Sequence, residues 1–291
     1  MRAAIIMLWL SLASYLTPLL ANDGREILRI AIIIDDLGEQ WASNSRAVEF
    51  SGDLSYAFLP HAPHSPRLAR RAHALGRDVM LHLPMESMTP RRLGPGGLTL
   101  DMTRAAFLRA LAANIDAVPH VSGLNNHMGS LLTRHPGHMQ WLMDGIRQHG
   151  NLFFVDSRTT HHTVAEQLAR ENGVPVMRRD VFLDDNPDPA AIEAQFRRLI
   201  DKARRQGAAV AIGHPYDSTL SVLETYIPRL GTLNIELVPV SQLLNHTPPP
   251  PTAAGEHSTD NRLVYLNQTV PHPLSPSPQP IDFTSPSNLA Q

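Results

Sequence analysis

Three observations predict an α/β domain of parallel strands curled into a barrel, complete or incomplete. Apolar runs alternate with amphipathic helical patterns along the chain, the order in which helices return one parallel strand to the next. The first run, Ile30–Ile34, is five apolar and mostly β-branched residues, as a strand buried on both faces requires. The stretch from Glu26 to Asn245, about 220 residues, suits one such domain. Seven or eight strands favour a barrel over an open sheet.

Each element follows from its own signals. After Ile30–Ile34, Leu54–Leu59 reads as a strand, Pro66–Leu75 as a helix stopped by Gly76, and Asp78–Leu81 as a third strand. Thr103 is a hydroxyl N-cap for a helix over Arg104–Ala117, whose Phe107, Leu108, Leu111 and Ile115 recur at helical spacing. Gly123–Met128 is a short strand or its exit loop, followed by a helix over Met139–Gln148 that Gly150 closes. Leu152–Val155 is a strand, Val164–Glu171 a helix, and Val181–Leu183 a strand. Pro189–Gln206 forms a long helix with Gly207 as its C-terminal stop. Ala208–Ile212 is strand, Leu220–Leu230 helix, and Ile235–Val238 the last strand.

Both ends depart from this pattern. Residues 1–21 carry Arg2 before an uncharged apolar run and then small residues, the architecture of a cleaved secretory signal. Ser11, Ser14, Thr17 and Pro18 interrupt that run and make it short for a membrane span. The expected organisation is therefore a signal at 1–21, a barrel at 22–246 and a proline-rich tail at 247–291, with the protein periplasmic or secreted. Pro248–Pro251 and the six prolines after them exclude regular helix or interior strand from the tail, which suits a spacer or a protein-partner tether. No other stretch is long and apolar enough to cross a membrane, so no stable span is expected once the signal is removed.

Composition narrows the chemistry. With 25 Lys+Arg against 27 Asp+Glu, the chain lacks the cationic surplus of a nucleic-acid binder. Cysteine is absent, which excludes disulfides, thiolate nucleophiles and sulfur-ligated zinc. Its 15 histidines, with carboxylates, are the available ligands for any divalent cation, zinc being the leading candidate.

Polar clusters then recur where strands end, the place at which parallel α/β folds gather functional groups. They are Asp35-Asp36-Leu37-Gly38, His82-Leu83-Pro84-Met85-Glu86, Asn125-Asn126-His127-Met128-Gly129-Ser130, Asp156-Ser157, Asp184-Asp185-Asn186 and Gly213-His214-Pro215. Asp35 and Asp36 either cap a helix or divide the work, one binding a cation and the other acting as general base. His82 and Glu86, four apart, are metal-ligand candidates if a turn brings them together. His127 either ligates metal or donates a hydrogen bond to substrate, and Gly129 beside it permits close backbone approach of a ligand. His214 is a general-acid or orienting candidate. Asp184-Asp185-Asn186 caps the long helix after Pro187. His135, His138, His161-His162, Arg91-Arg92 and Arg197-Arg198 read as solvated surface.

Taken in order, these clusters resemble the divergent polysaccharide deacetylase family over residues 28–245. The resemblance implies a distorted seven-stranded β/α barrel of the NodB-like carbohydrate esterase superfamily. It implies Asp35 as base, Asp36 and His82 as metal ligands, and His214 as general acid. The second metal-binding histidine of mainstream members is Glu86 here, with His127 near enough in sequence order to compensate. Asn125, Asn126, Asp156 and Ser157 are the expected substrate-binding groups. The implied function is metal-dependent hydrolysis of N-acetyl groups on an envelope glycan. The alternatives are a non-catalytic envelope protein that keeps the barrel to bind glycan or a protein partner, and a metal-dependent amidase or esterase with a non-sugar substrate.

Overall fold

The computed structural model describes residues 27–246, which lie within one compact unit. The expected leader and tail fall outside the described residues. The chain alternates as β1 (Leu28–Leu37), α1 (Trp41–Val48), β2 (Ser55–Phe58), α2 (Ser65–Ala74), β3 (Val79–Met85), α3 (Arg104–Ala117), β4 (Gly123–Met128) and α4 (Pro136–Gln148). It continues as β5 (Phe153–Asp156), α5 (Ala165–Glu171), β6 (Val176–Arg178), β7 (Val181–Phe182), α6 (Pro189–Gln206), β8 (Ala208–Gly213), α7 (Asp217–Tyr226), β9 (Ile235–Leu237) and α8 (Val240–His246). Every strand pairing is parallel, in the order β6-β5-β4-β3-β2-β1-β8-β7, with β9 added to the start of β1. The sheet is a parallel barrel left open, since β6 and β7 at its two ends do not pair. Nine strands result because β6, only three residues long, joins the eight that the apolar runs mark.

Strand parity organises the packing. Ile30, Ile32 and Ile34 of β1 join the large apolar layer shared with the helices, where Leu68, Phe107 and Leu142 are also buried. Their neighbours Ala31 and Ile33 join a smaller cluster with Ala57, Met80, Val155, Val210 and Ile212, on the concave face. Val240 and Leu243 of α8 belong to that second cluster and close its lower end. Asp78 fixes α8 there, its carboxylate accepting from the Ser241 backbone N–H (2.8 Å), the Ser241 hydroxyl (2.6 Å) and the Ser55 hydroxyl (3.2 Å). The upper end, where the strands finish, is left for polar groups.

Local chemistry sets several boundaries where the sequence places them. Thr103 caps α3, its Oγ1 accepting from the Ala106 N–H at 3.3 Å. Thr103→Ala is expected to lower stability by about 1 kcal/mol, measured by thermal or denaturant unfolding. The cap of α6 is Asp188, whose Oδ1 accepts from the N–H groups of Ala190 and Ala191, not the Asp184-Asp185-Asn186 run. Asp184 is buried and serves elsewhere.

Candidate metal and acid–base site

The same parity that sorts the core selects the site. Continuing β1 past Ala31 and Ile33 puts Asp35 on the concave face; β3 adds His82 after Met80, and β8 leads from Val210 and Ile212 to His214. In β4, Asn125 pairs in register with His82, and His127 stands two residues on. Asp36 has the opposite parity, but its φ of +58° breaks the alternation, at a register shift between Ile34 and Leu37. Aspartate is among the few residues that tolerate this left-handed conformation. The result is a cleft of about 440 Å³ lined by Asp35, Asp36, His82, His127, Ser157 and His214 among others.

Three ligand atoms converge within it. Asp36 Oδ1 lies 3.1 Å from His82 Nε2 and 3.0 Å from His127 Nδ1, and the two ring nitrogens are 3.1 Å apart. Despite these approaches, buried Asp36 Oδ1 has no hydrogen bond of acceptable geometry. Three atoms about 2.0–2.1 Å from one tetrahedral ion are separated by roughly 3.3 Å, so the trio fits a divalent cation, and its N, N, O composition suits zinc or a similar metal. His82 Nδ1 donates to Asn125 Oδ1 at 2.8 Å, which leaves Nε2 as the lone-pair nitrogen facing the trio. Burial pushes the Asp36 carboxyl up, but His127 and His82 outweigh it and hold the group well below the usual carboxylate range. Burial pushes His82 down, yet Asp35 and then Asp36 raise it to about 9.

Asp35 is a different carboxylate. It is buried, and both of its oxygens accept from Asn125 Nδ2, at 2.8 and 3.0 Å. Burial raises its pKa above the ordinary value, opposed by His82 and His214. Two adjacent aspartates are thus driven apart, Asp36 towards a permanent anion and Asp35 towards a base that can take up a proton.

Opposite them, His214 is held by Asp184. The Asp184 carboxylate accepts from His214 Nδ1 (2.9 Å), the His214 backbone N–H (2.6 Å) and the Thr219 hydroxyl (2.7 Å). A Cβ at Gly213 would come within 3.2 Å of Asp184 Oδ2, which explains the glycine. Burial pushes the imidazole down, but the Asp184 hydrogen bond and charge raise it overall, favouring the protonated form. Nε2 is left facing the aspartates, 3.6 Å from Asp36 Oδ2. Asp184→Asn is expected to move the His214 pKa downward, which an NMR titration of its imidazole would read.

The remaining sequence candidates divide. Glu86 does not join the trio. Two residues earlier Pro84 still pairs in β3, so the segment is extended, and four residues of strand separate His82 from Glu86 by roughly 13 Å. The Glu86 carboxylate instead accepts from the Leu100 N–H at 2.7 Å. Asn125 is fully buried between His82 and Asp35 and positions those two rather than touching substrate. Asn126 ties down its own loop, donating to the Met128 carbonyl and accepting from the Ser157 N–H. Asp156 is fully buried, accepting from the Arg158 N–H and the Thr163 hydroxyl. Of the four expected substrate-binding residues, Ser157 alone combines a place on the cleft with a hydroxyl that has no hydrogen-bond partner. Gly129 serves packing, since Met85 and Thr133 fill the space beside it. Asp184 is not a helix cap; its parity, two residues after inward Phe182, is the sequence signal for its true place.

The family model for divergent polysaccharide deacetylases matches residues 32–244. An uncharacterized protein of Escherichia coli K12, YibQ, is 36% identical over 240 residues, covering 82% of this chain and 73% of that protein. An uncharacterized protein of Haemophilus influenzae Rd is 34% identical over 253 residues, covering 86% of each. The crystal structure of an uncharacterized Agrobacterium tumefaciens C58 protein superposes with a TM-score of 0.72 at 22% identity, over 76% of this chain and 90% of that one. That last likeness establishes the open parallel barrel as a shared fold.

Proposed function

The chain belongs to the divergent polysaccharide deacetylase family, and from that premise we propose that it is an exported, metal-dependent hydrolase removing N-acetyl groups from an envelope glycan. The observation that carries this reading is the trio of Asp36, His82 and His127 beside a raised carboxylate, Asp35, and a carboxylate-held imidazole, His214, in one cleft. Asp36, His82 and His127 would hold the cation. When bound, a divalent cation supplies Lewis acidity, polarising an amide carbonyl and making water more acidic. Asp35 takes the proton of the attacking water. His214, kept protonated by Asp184, delivers a proton to the amide nitrogen as the C–N bond breaks, so that acetate and a free amine leave. Asn125 keeps the His82 tautomer and the Asp35 carboxylate oriented throughout. The secretory pattern of residues 1–21 supports access to envelope glycans.

Acetate release from N-acetylated oligosaccharides and peptidoglycan tests the reading, using metal-loaded, chelator-stripped and zinc-restored protein. Turnover that disappears on stripping and returns with zinc is the expected result. Metal-loaded protein that releases acetate from none of these would sink the hydrolase reading, and retained glycan binding would then favour the non-catalytic alternative. Cell fractionation tests export directly.

A further inference from the structure

A second cavity, of about 590 Å³, adjoins the cleft and shares Arg158, Arg179 and Phe182 with it. The junction is built from rings and guanidinium groups. Phe182 meets the His214 ring edge-on at 5.4 Å between centroids, and Arg179 Cζ lies 5.1 Å from the centre of Phe182. Arg179 is fixed there, its Nε donating to the Ser157 carbonyl at 2.6 Å and its Nη2 to the Arg158 carbonyl at 2.9 Å. Burial and then the neighbouring Arg158 push the Arg179 pKa down, and the more distant charges of Asp156, Asp35 and Asp180 only partly oppose them.

The rest of the cavity has the same sign. Arg158, Arg178, Arg179, Arg198 and Lys202 line it against two carboxylates, Asp180 and Asp185. Asp180 is already engaged, accepting from the Val210 N–H at 3.0 Å and pairing with Lys202 Nζ at 3.6 Å. Arg178 pairs with Glu166 at 3.5 Å, a carboxylate that Arg170 also uses. Arg158 and Arg198 have no ion-pair partner among the described residues. A chain of nearly balanced total charge thus concentrates unpaired arginines beside one cleft.

Resting on the hydrolase reading, we propose that this cavity is a subsite for an anionic group of the glycan, a carboxylate or phosphate on a sugar flanking the one that loses its acetyl group. Arginine suits both anions because its planar N–H fork matches their paired oxygens. The reaction cleft would then hold the N-acetyl sugar while Arg158, Arg179 and Arg198 set which neighbour is accepted.

Binding and turnover by metal-loaded protein are compared for three hexasaccharides: chitohexaose, which is neutral, a hyaluronan hexasaccharide, which carries carboxylates, and a phosphorylated chitohexaose. The expected result is about tenfold tighter binding of at least one anionic glycan than of chitohexaose, the preference fading at high salt. The two anionic arms distinguish carboxylate from phosphate. Arg198→Glu, on an exposed helical position away from the metal trio, should abolish the preference while leaving chitohexaose binding and the melting temperature unchanged. Equal binding of all three glycans, no binding of any, or a preference that survives Arg198→Glu would each overturn the subsite. Preferential binding without acetate release would leave the subsite standing and remove the hydrolase reading. Turnover indifferent to charge would do the reverse.

Discussion

On the proposed function, Asp36→Asn is expected to abolish tight binding of a divalent cation and, with it, essentially all acetate release. Asparagine is the demanding substitution, because it keeps the side-chain shape and tolerates the left-handed φ of +58° that alanine would resist. What it removes is the anionic oxygen that His82 Nε2 and His127 Nδ1 approach at 3.1 and 3.0 Å. Outer partners of a metal ligand are worth about 10–100-fold in affinity, so loss of an anionic ligand itself should cost at least ~100-fold. That corresponds to about 2.7 kcal/mol or more of binding free energy. Competition against a chromophoric chelator measures it. Should Asp36→Asn hold zinc as tightly as the native chain, the trio is not the metal site. The same variant should lower the His82 pKa, because Asp36 is one of the two carboxylates that raise it.

Why this site was partly readable from sequence, and partly not, comes down to periodicity. The strand-end clusters were visible because a parallel sheet buries its strands on both faces, so an Asp-Asp or Gly-His-Pro after an apolar run stands out. The alternation of strands and helices, the Thr103 cap and the Pro189–Gln206 helix with its Gly207 stop were legible for equally local reasons. The Glu86 expectation failed because spacing of four brings side chains together in a helix, whereas β3 stays extended through Met85. Period-two counting from Met80 reaches His82 and from Gly123 reaches Asn125 and His127, and it sets Asn126 and Asp156 on the other parity. Asp36 defies that counting, and only its backbone conformation accounts for it.

Other elements left little local signal. Trp41–Val48 forms a helix with three alcohol or amide residues in its middle, so its pattern is weak. Val176–Arg178 is a strand of three residues, shorter than any alternation that could announce it. Arg91 and Arg198, read as solvated surface, are indeed exposed, and they also line the two adjoining cavities. Charged residues at helix and loop positions carry no periodic mark of what they face. Asp184 is the instructive case, since a carboxylate ahead of a proline-led helix is what a cap looks like, and only the pairing of β7 with β8 brings it to His214.

Asp35→Asn is expected to separate chemistry from metal binding. Asp35 is not one of the three converging ligand atoms, so zinc affinity should stay close to native while the rate falls by about 10²–10⁴-fold, the usual contribution of a general base. The amide oxygen can still accept from Asn125 Nδ2, so the polar chain from His82 through Asn125 is kept and the fold is not at risk. The pH profile gives a second, independent reading. Burial raises the Asp35 pKa, so kcat/KM of the native protein should fall as pH drops through that raised value, where the base becomes protonated and can no longer accept a proton. In Asp35→Asn that acidic limb should vanish, while the limb at high pH, set by loss of the His214 proton, persists. Steady-state kinetics across pH, paired with zinc analysis of the same samples, decides the matter. A variant that keeps the native rate would show that another group takes the proton. One that loses its zinc would place Asp35 among the ligands, which the separation of the two aspartates by burial and partner charge argues against.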